Sequence, residues 1–428
     1  MAKTFRPYDP DQLLLMPPAL ADWVPEDHLA RFVSDVVDTL DLTAIEDAYT
    51  EERGYPPYHP QMMVKVLLYG YCTGVYSSRK LARQLTDSVA LRFLAAGNQP
   101  DFRTVSEFRK RHGAALAGLF QQVLRLCRRA GLVTLGQVAV DGTKIKANAS
   151  KHKAMSYRRM QETEAALAAE VAELLRRAAA DHDEDARYGP DQRGDELPAE
   201  LARRESRLAK IREAKAALEA EARTQAQADG EPPDQARPPD KAQHNFTDPE
   251  SKIQKTSDGF IQGYNAQVAV DATAQVIVAQ HVTAASPDVE QLQPIIEALV
   301  QGLHRRPQVV LADAGYWSEA NVVALQARGI EPLIATGRRK HSAPMPGAPR
   351  GRPPAGLTVK ARMARLLATL RGAALYARRK VIVEPPFGQI KHARGFRQFL
   401  RRGRRAVGEE WALICTSHTL LKLYGARI

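Results

Sequence analysis

Five short segments rich in Val and Ile constrain the fold more than any other feature of this sequence. The first is LGQVAVDGTKIKANAS (135–150). The next two, GYNAQVAVD (263–271) and QVIVAQHVTA (275–284), are separated by a short turn, which predicts a β-hairpin. The last two, VVLAD (309–313) and EPLIAT (331–336), alternate with segments of helical periodicity. Strands and helices in this order predict an α/β fold, with a mixed sheet flanked by helices on both faces.

Two other regions are predicted to be helical. Residues 1–130 carry apolar residues at helical spacing, as in HPQMMVKVLLYGYCTG, and predict an all-α N-terminal domain. This domain either binds DNA or mediates dimerisation, or it is a plain helical scaffold. The α/β domain then covers residues 131–428 and is interrupted by a charged insertion, residues 151–240. Two helical segments separated by a polar linker predict that the insertion is a helical hairpin. Its apolar stripes are Leu167, Val171 and Leu174, and Leu201, Leu208, Ile211 and Leu218.

The charge balance indicates a polyanionic partner. The chain has 61 Lys and Arg against 49 Asp and Glu, a formal net charge of +12, which favours nucleic acid. The cysteines lie far apart, without the spacing of a zinc site or a disulfide framework, and suit a reducing cytosol. The N-terminal apolar run is too short and too rich in Pro for a signal peptide, and no segment predicts a membrane span. We therefore expect a cytoplasmic protein.

Three acidic residues occupy positions that indicate chemistry. Asp141 lies in the first β segment, Asp313 closes VVLAD, and Glu384 precedes PPFG. Without the insertion, Asp141 and Asp313 are one hairpin and one crossover apart. A structural alternative stays open for each: a turn at Asp141–Gly142, a helix cap at Asp313, and an ion pair with Arg at Glu384. Asp271 also ends an apolar strand, but the turn that follows explains it, so we rank it below Asp313.

Glu384 is isolated in the most basic part of the chain. The preceding carboxylate is Glu331 and the next is Glu409, while residues 371–405 contain 11 Lys and Arg. Two prolines follow Glu384, and proline is tolerated in the first turn of a helix, so we predict that Glu384 opens the C-terminal helix. Lys391 lies two helical turns further on and should share its face.

Carboxylates in basic surroundings suit metal-assisted cleavage of a phosphodiester. Two Mg²⁺ ions about 3.5–4 Å apart activate the attacking oxygen and stabilise the leaving oxygen. Mg²⁺ prefers oxygen ligands, and clustered carboxylates repel one another unless a cation lies between them. Nearby Lys and Arg would hold the DNA backbone. The sequence therefore predicts that the acids bind metal and that their basic neighbours bind phosphate.

Together these motifs resemble the DDE transposases of bacterial insertion sequences, in the group with a Tyr-Arg-Glu-Lys signature. The matching segments are VAVDGTKIKANAS, NAQVAVD, VVLADAGYWSEAN and YARRKVIVEPPFGQIK, with HPQMMVKVLLYGYCTG and DFRTVSEFRKRH in the helical N-terminal domain. The resemblance covers nearly the whole chain and is weakest in the insertion. It implies an RNase H-like fold, two Mg²⁺ or Mn²⁺ ions, double-stranded DNA as partner, a homodimer in the active complex, and a place at the bacterial nucleoid.

The resemblance also assigns site residues. Asp141, Asp313 and Glu384 would be the catalytic metal ligands. The commonest signature has Arg four positions before the Glu, where this chain has Lys380, and Arg379 is one position earlier, so either could take that role. An aromatic residue after the second Asp either holds a flipped base or packs beside the site. The implied DNA contacts are Tyr376, Arg379, Lys380, Lys391, Arg394, Arg401 and Trp317.

The implied reaction has two steps. Water cuts the DNA at the ends of the element, and the freed 3′-OH attacks target DNA. Two alternatives stay open: a nuclease of the same fold that cuts without joining, and a catalytically inactive or domesticated DNA-binding protein.

Overall fold

A helical region precedes an α/β region in this chain. The computed structural model describes residues 19–50, 56–150, 153–180, 196–256, 259–337 and 348–427, with the side chains of 177–180 and 196–201 excepted. The helices of the first region are α1 (Leu29–Asp38), α2 (Thr43–Glu46), α3 (Pro60–Cys72), α4 (Ser78–Asp87), α5 (Val89–Leu94), α6 (Phe102–Arg111) and α7 (Gly113–Arg129). The later helices are α8 (Tyr157–Ala180), α9 (Glu196–Asp229), α10 (Leu292–Leu303), α11 (Glu319–Ala327), α12 (Val359–Ala368), α13 (Leu370–Gly388) and α14 (Arg404–Gly425).

The α/β region is built on a mixed sheet, as predicted. Its strands are β1 (Gln137–Lys146), β4 (Lys252–Thr256), β5 (Gly259–Asp271), β6 (Ile277–Thr283), β7 (Val309–Ala312) and β8 (Glu331–Ile334), and a separate pair is formed by β2 (Ala154–Ser156) and β3 (Gln243–Asn245). The path β4-β5-β1-β7-β8 runs across the sheet, and β6 also pairs with β5. The β5–β6 hairpin and the β1–β5 pair are antiparallel, whereas β1, β7 and β8 are parallel. The helical N-terminal region and the mixed α/β sheet are thus confirmed.

One apolar core runs through both regions. Helix α14 packs along α3 and α7 and also against β6, so it joins the N-terminal helices to the sheet. Trp411 at its centre is fully buried, and its ring meets Phe399 edge to face. The described parts of residues 1–130 and 131–428 therefore share a core, and the boundary between them stays a prediction.

The insertion contributes two long helices that pack against each other. Its buried apolar residues form a cluster separate from the main core. Lys215 lies 2.9 Å from Glu164, and Arg204 lies 2.9 Å from Glu170, so the two helices run antiparallel. The polar linker, residues 181–195, and the Leu201 side chain of the predicted stripe lie outside the described residues. The members of the two predicted stripes that are buried are Leu167, Leu208, Ile211 and Leu218.

The three cysteines are buried free thiols: Cys72, Cys127 and Cys415. Burial raises the pKa of each.

Among the described helices, none combines the length and the apolar character needed to cross a bilayer.

The prediction that Glu384 opens a helix is wrong. Helix α13 begins at Leu370, after Thr369, whose side chain caps it. Glu384 and the two prolines after it lie in its last turns. Proline inside a helix leaves the carbonyl four residues earlier without its usual donor. Here that carbonyl, of Val381, accepts a hydrogen bond from Gln275 Nε2 at 2.9 Å. The helix then changes to a π-helical turn, Gln389–Ala393.

Replacing Gln275 by Ala should destabilise the protein by about 0.5–1 kcal/mol, because the Val381 carbonyl exchanges its side-chain donor for water at an exposed position. Lys422 would also lose the Gln275 oxygen to which it donates at 2.9 Å. Urea unfolding followed by circular dichroism measures the loss. The control is Gln326→Ala, at an exposed position of α11. Equal unfolding free energies for the two variants would contradict this account of the prolines.

Candidate active site

Strands β1 and β7 carry two acids to neighbouring places on one edge of the sheet. Val140 on β1 pairs in parallel with Ala312 on β7, and Asp141 and Asp313 directly follow them. Adjacent strands are only about 4.8 Å apart, so the two carboxyl groups are near each other. Strand β1 continues to Lys146, which rules out a turn at Asp141.

Asp313 also caps the turn that follows it. Its Oδ1 accepts a hydrogen bond from the Gly315 amide at 2.8 Å, at the start of a short 3-10 turn, Ala314–Tyr316. Helix α11 has its own cap, because the Ser318 hydroxyl accepts from the Asn321 amide. The cap therefore holds Asp313 Oδ1 in place.

Arg379 forms an ion pair with Asp141. The distance from Arg379 Nη1 to Asp141 Oδ2 is 2.9 Å, and the two side chains are 11% and 23% exposed. Burial raises the pKa of Asp141 to about 6, against the opposing effects of Arg379 and of the Gly142 amide, and the charge of Asp313 raises it further. A carboxyl group with this pKa accepts a cation readily when it ionises.

Replacing Asp141 by Asn should stabilise the metal-free protein above pH 6. Because the folded-state pKa lies above the ordinary value of 3.8, stability from the neutral carboxyl is present at low pH and lost as pH rises through 6. Asn stays neutral, so at pH 7.5 we expect a gain of about 1–2 kcal/mol, less than the full shift implies because the site is partly solvated.

Urea unfolding at pH 7.5 and at pH 4 measures this, and the difference should be much smaller at pH 4, close to the ordinary carboxyl pKa of 3.8. Asp35→Asn, at an exposed position of α1, is the control. A wild-type protein more stable than Asp141→Asn at pH 7.5 would mean that the Arg379 ion pair outweighs the cost of burial.

The signature residues of α13 divide between the site and the solvent. Tyr376 is partly buried one turn before Arg379, and burial raises its pKa while the Arg379 charge opposes this. Both aspartates, Asp141 and Asp313, lie near enough to act on Tyr376. Lys380 is exposed. Of the two candidates for the signature Arg, Arg379 touches the carboxylate and Lys380 faces outward.

Glu384 is on the same helix but is not joined to the two aspartates. It is exposed, and no hydrogen bond or ion pair links it to the described part of the chain. The alternative that it pairs with Arg therefore finds no support among these residues. Across the described ranges, no three Asp, Glu, His or Cys residues have the spacing of a metal centre. The structure thus brings together two of the three predicted ligands.

Lys391 fastens the π-helical turn to β1. Its Nζ donates to Thr143 Oγ1 at 3.0 Å and to the Lys144 carbonyl at 3.2 Å. Asp271, the rival acid, is fully buried and structural, because it accepts from the backbone amides of Leu135 and Thr273.

The other predicted DNA contacts differ in exposure. Arg394 is buried, and its guanidinium donates to Ser417 Oγ at 2.6 Å, so we remove it from the proposed DNA contacts. Arg401 forms an ion pair with Glu409, with 2.6 Å between Arg401 Nη1 and Glu409 Oε2. Trp317 is partly buried and packs against the core. The exposed cations of residues 371–405 are Arg371, which pairs with Glu331, and Arg378, Lys380, Arg397, Arg402, Arg404 and Arg405.

A polar group near the aspartates escaped the sequence analysis. It comprises Lys144, Asn265, Gln267, Asp288 and Tyr316. One signal was visible: Asn265 and Gln267 are two alternate polar residues on an otherwise apolar strand. Asp288 lies in a loop and has no such signal. Burial raises the pKa of Tyr316, and so do the charges of Asp288, Asp141 and Asp313, which places all three carboxylates around this hydroxyl.

Two family models match the chain. Residues 18–111 match a model described as a transposase domain (DUF772), and residues 233–420 match one described as a transposase DDE domain. Together these stretches make up well over half of the sequence. The chain carries a transposase DDE domain. The resemblance inferred from the motifs is thereby confirmed.

A relative agrees with this assignment. The putative transposase for insertion sequence element IS402 of Burkholderia cepacia is 41% identical over 85 residues, which are 18% of this chain and 40% of the relative. The chain therefore spans less than half the length of that relative. No solved structure matches the chain. Asp313 and Glu384 lie inside the DDE match, whereas Asp141 lies outside both matched stretches, on the other side of the insertion.

Proposed function

We propose that this chain cuts DNA at the ends of an insertion sequence and joins those ends to target DNA, in a reaction that needs divalent metal ions. One observation carries the proposal: in a DDE transposase chain, Asp141 and Asp313 lie side by side at one sheet edge, next to the guanidinium of Arg379. Carboxylates that two neighbouring strands bring together can hold the ions of metal-assisted phosphodiester cleavage.

We further propose that the α/β region has an RNase H-like fold. The order β6-β5-β1-β7-β8, with an antiparallel first part and a parallel second part, supports this. The insertion then follows β1 as a helical hairpin of α8 and α9. The antiparallel ion pairs between these helices support that arrangement.

The residues present fit a divalent cation in part. Asp141 and Asp313 offer oxygen ligands at one place, and water and DNA phosphate can complete the shell of Mg²⁺ or Mn²⁺. Two such ions would activate the attacking oxygen and stabilise the leaving one. Glu384 is the proposed third ligand. Because it is exposed on α13, it would have to approach the aspartates when DNA binds. Arg379 lies beside Asp141 and would be displaced from it by the cation.

DNA would bind across the basic surface around this site. The exposed cations Arg378 and Lys380 of α13 and Arg397 and Arg402 of the loop before α14 support this, since none of them forms an ion pair within the described residues. Lys380 is the signature-region cation free to reach phosphate. We propose that the N-terminal helical region adds DNA binding or dimerisation, and that a homodimer brings the two element ends together.

A two-product assay tests the proposal. Linear DNA that carries the gene's flanking ends is incubated with the full chain and a supercoiled target plasmid, in Mg²⁺, in Mn²⁺ or in EDTA. We expect end cutting and joined products with either metal and neither with EDTA. Cutting without joining would favour the nuclease. DNA binding without cutting in any metal would favour an inactive or domesticated binding protein.

A further inference from the structure

A buried polar layer adjoins the two aspartates and includes an acid outside the predicted catalytic set. Asn265 and Gln267 on β5 are fully buried. Their side-chain amides both donate to Oδ1 of Asp288, at 2.7 and 2.8 Å. Lys144 Nζ lies 3.4 Å from the same oxygen. Buried polar groups that are mutually satisfied specify one arrangement, because any shift leaves a group without its partner.

This layer touches the residues that hold both aspartates. The Tyr316 hydroxyl donates to Gln267 Oε1, and the Tyr316 amide donates to the Asp313 carbonyl at 3.3 Å. The Gln267 side chain also occupies the space where a Cβ on residue 142 would be, so it packs directly on Gly142. The Gly142 amide in turn donates to Asp141 Oδ1 at 2.8 Å. Movement of Gln267 would therefore disturb both carboxyl groups.

The second oxygen of Asp288 faces Asp313. A Cβ built on Gly315 would lie 3.0 Å from Asp313 Oδ1 and 3.5 Å from Asp288 Oδ2, so both oxygens border the same space. Two carboxylates in this position repel each other unless donors or positive charge hold them. At Oδ1 of Asp288, Lys144 supplies the positive charge, and the side-chain amides of Asn265 and Gln267 supply the donors.

We propose that Asp288 is a positioning residue of the active site. By holding Gln267, and through it Tyr316 and Gly142, it keeps Asp141 and Asp313 in the arrangement that binds the divalent cation. This inference rests on the proposed function, since it takes the two aspartates as metal ligands. Groups that orient a metal-ligating carboxylate change metal affinity or activity by about 10- to 100-fold when they are removed.

Metal binding without DNA separates this role from catalysis. Free Mn²⁺ is titrated by electron paramagnetic resonance into the full chain and its variants. We expect Asp288→Ala to raise the Kd for Mn²⁺ by about 10- to 100-fold, and its cutting rate to recover at high Mn²⁺. Asp288→Asn keeps an acceptor oxygen for the two amides and should stay within a few-fold of the wild type. Glu290→Ala, an exposed acid two residues away, is the control and should bind Mn²⁺ like the wild type.

A second variant tests the proposal in case Asp288→Ala does not fold. Gln267→Met keeps the volume but removes the amide between Asp288 and Tyr316, so it should weaken Mn²⁺ binding by a similar factor. Wild-type affinity in Asp288→Ala, or in Gln267→Met if the first variant does not fold, would overturn the proposal. A wild-type chain that binds Mn²⁺ but cuts no DNA would overturn the proposed function alone. A wild-type chain that binds no Mn²⁺ would overturn both the proposed function and the role of Asp288.

Discussion

Asp313→Asn is expected to reduce DNA cutting by on the order of a thousandfold or more, because a lost metal ligand forfeits several kcal/mol of transition-state stabilisation. The amide keeps an oxygen at Oδ1 to accept the Gly315 hydrogen bond, so the turn after β7 should survive. The loss would then reflect chemistry and not folding. Single-turnover cutting of end DNA in Mg²⁺ measures it, with DNA affinity followed in parallel.

The matched control is Asp271→Asn, since Asp271 also ends a strand of this sheet. Asp271 holds the backbone amides of Leu135 and Thr273, and no part of the proposed chemistry uses it. We expect lower stability but retained cutting. If Asp313→Asn cut DNA at the wild-type rate, Asp141 and Asp313 would not form the metal-binding site. Unchanged DNA affinity with abolished cutting is the expected combination.

Glu384→Gln is expected to cause a loss of similar size, and it is the cleanest test of the third ligand. Glu384 is exposed and makes no hydrogen bond or ion pair within the described ranges. An exposed substitution of this kind changes stability by no more than about 0.5 kcal/mol. A large loss of cutting would therefore report on metal or DNA binding, because the fold does not depend on this side chain. Cutting rates in Mg²⁺ and in Mn²⁺, with thermal melting alongside, measure the effect.

Glu319→Gln, an exposed acid in the first turn of α11, serves as its control and should cut normally. Wild-type cutting by Glu384→Gln would remove Glu384 from the site. The isolated glutamate would then be an acid without a catalytic role, in a segment whose cations serve DNA. A loss in Glu384→Gln together with intact Mn²⁺ binding would instead assign Glu384 to a step after the first ion is bound.

Local pattern was sufficient for the strands and for the choice of two acids, Asp141 and Asp313, that the structure places next to each other. The Val- and Ile-rich runs and the β5–β6 hairpin depend on neighbours in sequence, and the structure has them as predicted. Asp141 and Asp313 could be chosen because each is polar in or after a buried strand. The start of α13 could not be predicted from local pattern, because two consecutive prolines normally indicate the first turn of a helix. A side chain from the β5–β6 turn, Gln275, donates to the Val381 carbonyl, which Pro385 leaves without its usual donor.

What the sequence by itself determined is the fold class, the resemblance to transposases and the candidate residues for binding metal and phosphate. Only the tertiary structure decided which cations are available to bind DNA. Arg379 forms an ion pair with Asp141, Arg394 is buried and donates to Ser417, and Lys380 is exposed. It also decided that Asp288 meets Gln267 beside the aspartates. Contacts of this kind join residues far apart in the chain, and their energies depend on burial and on partners that no local pattern encodes.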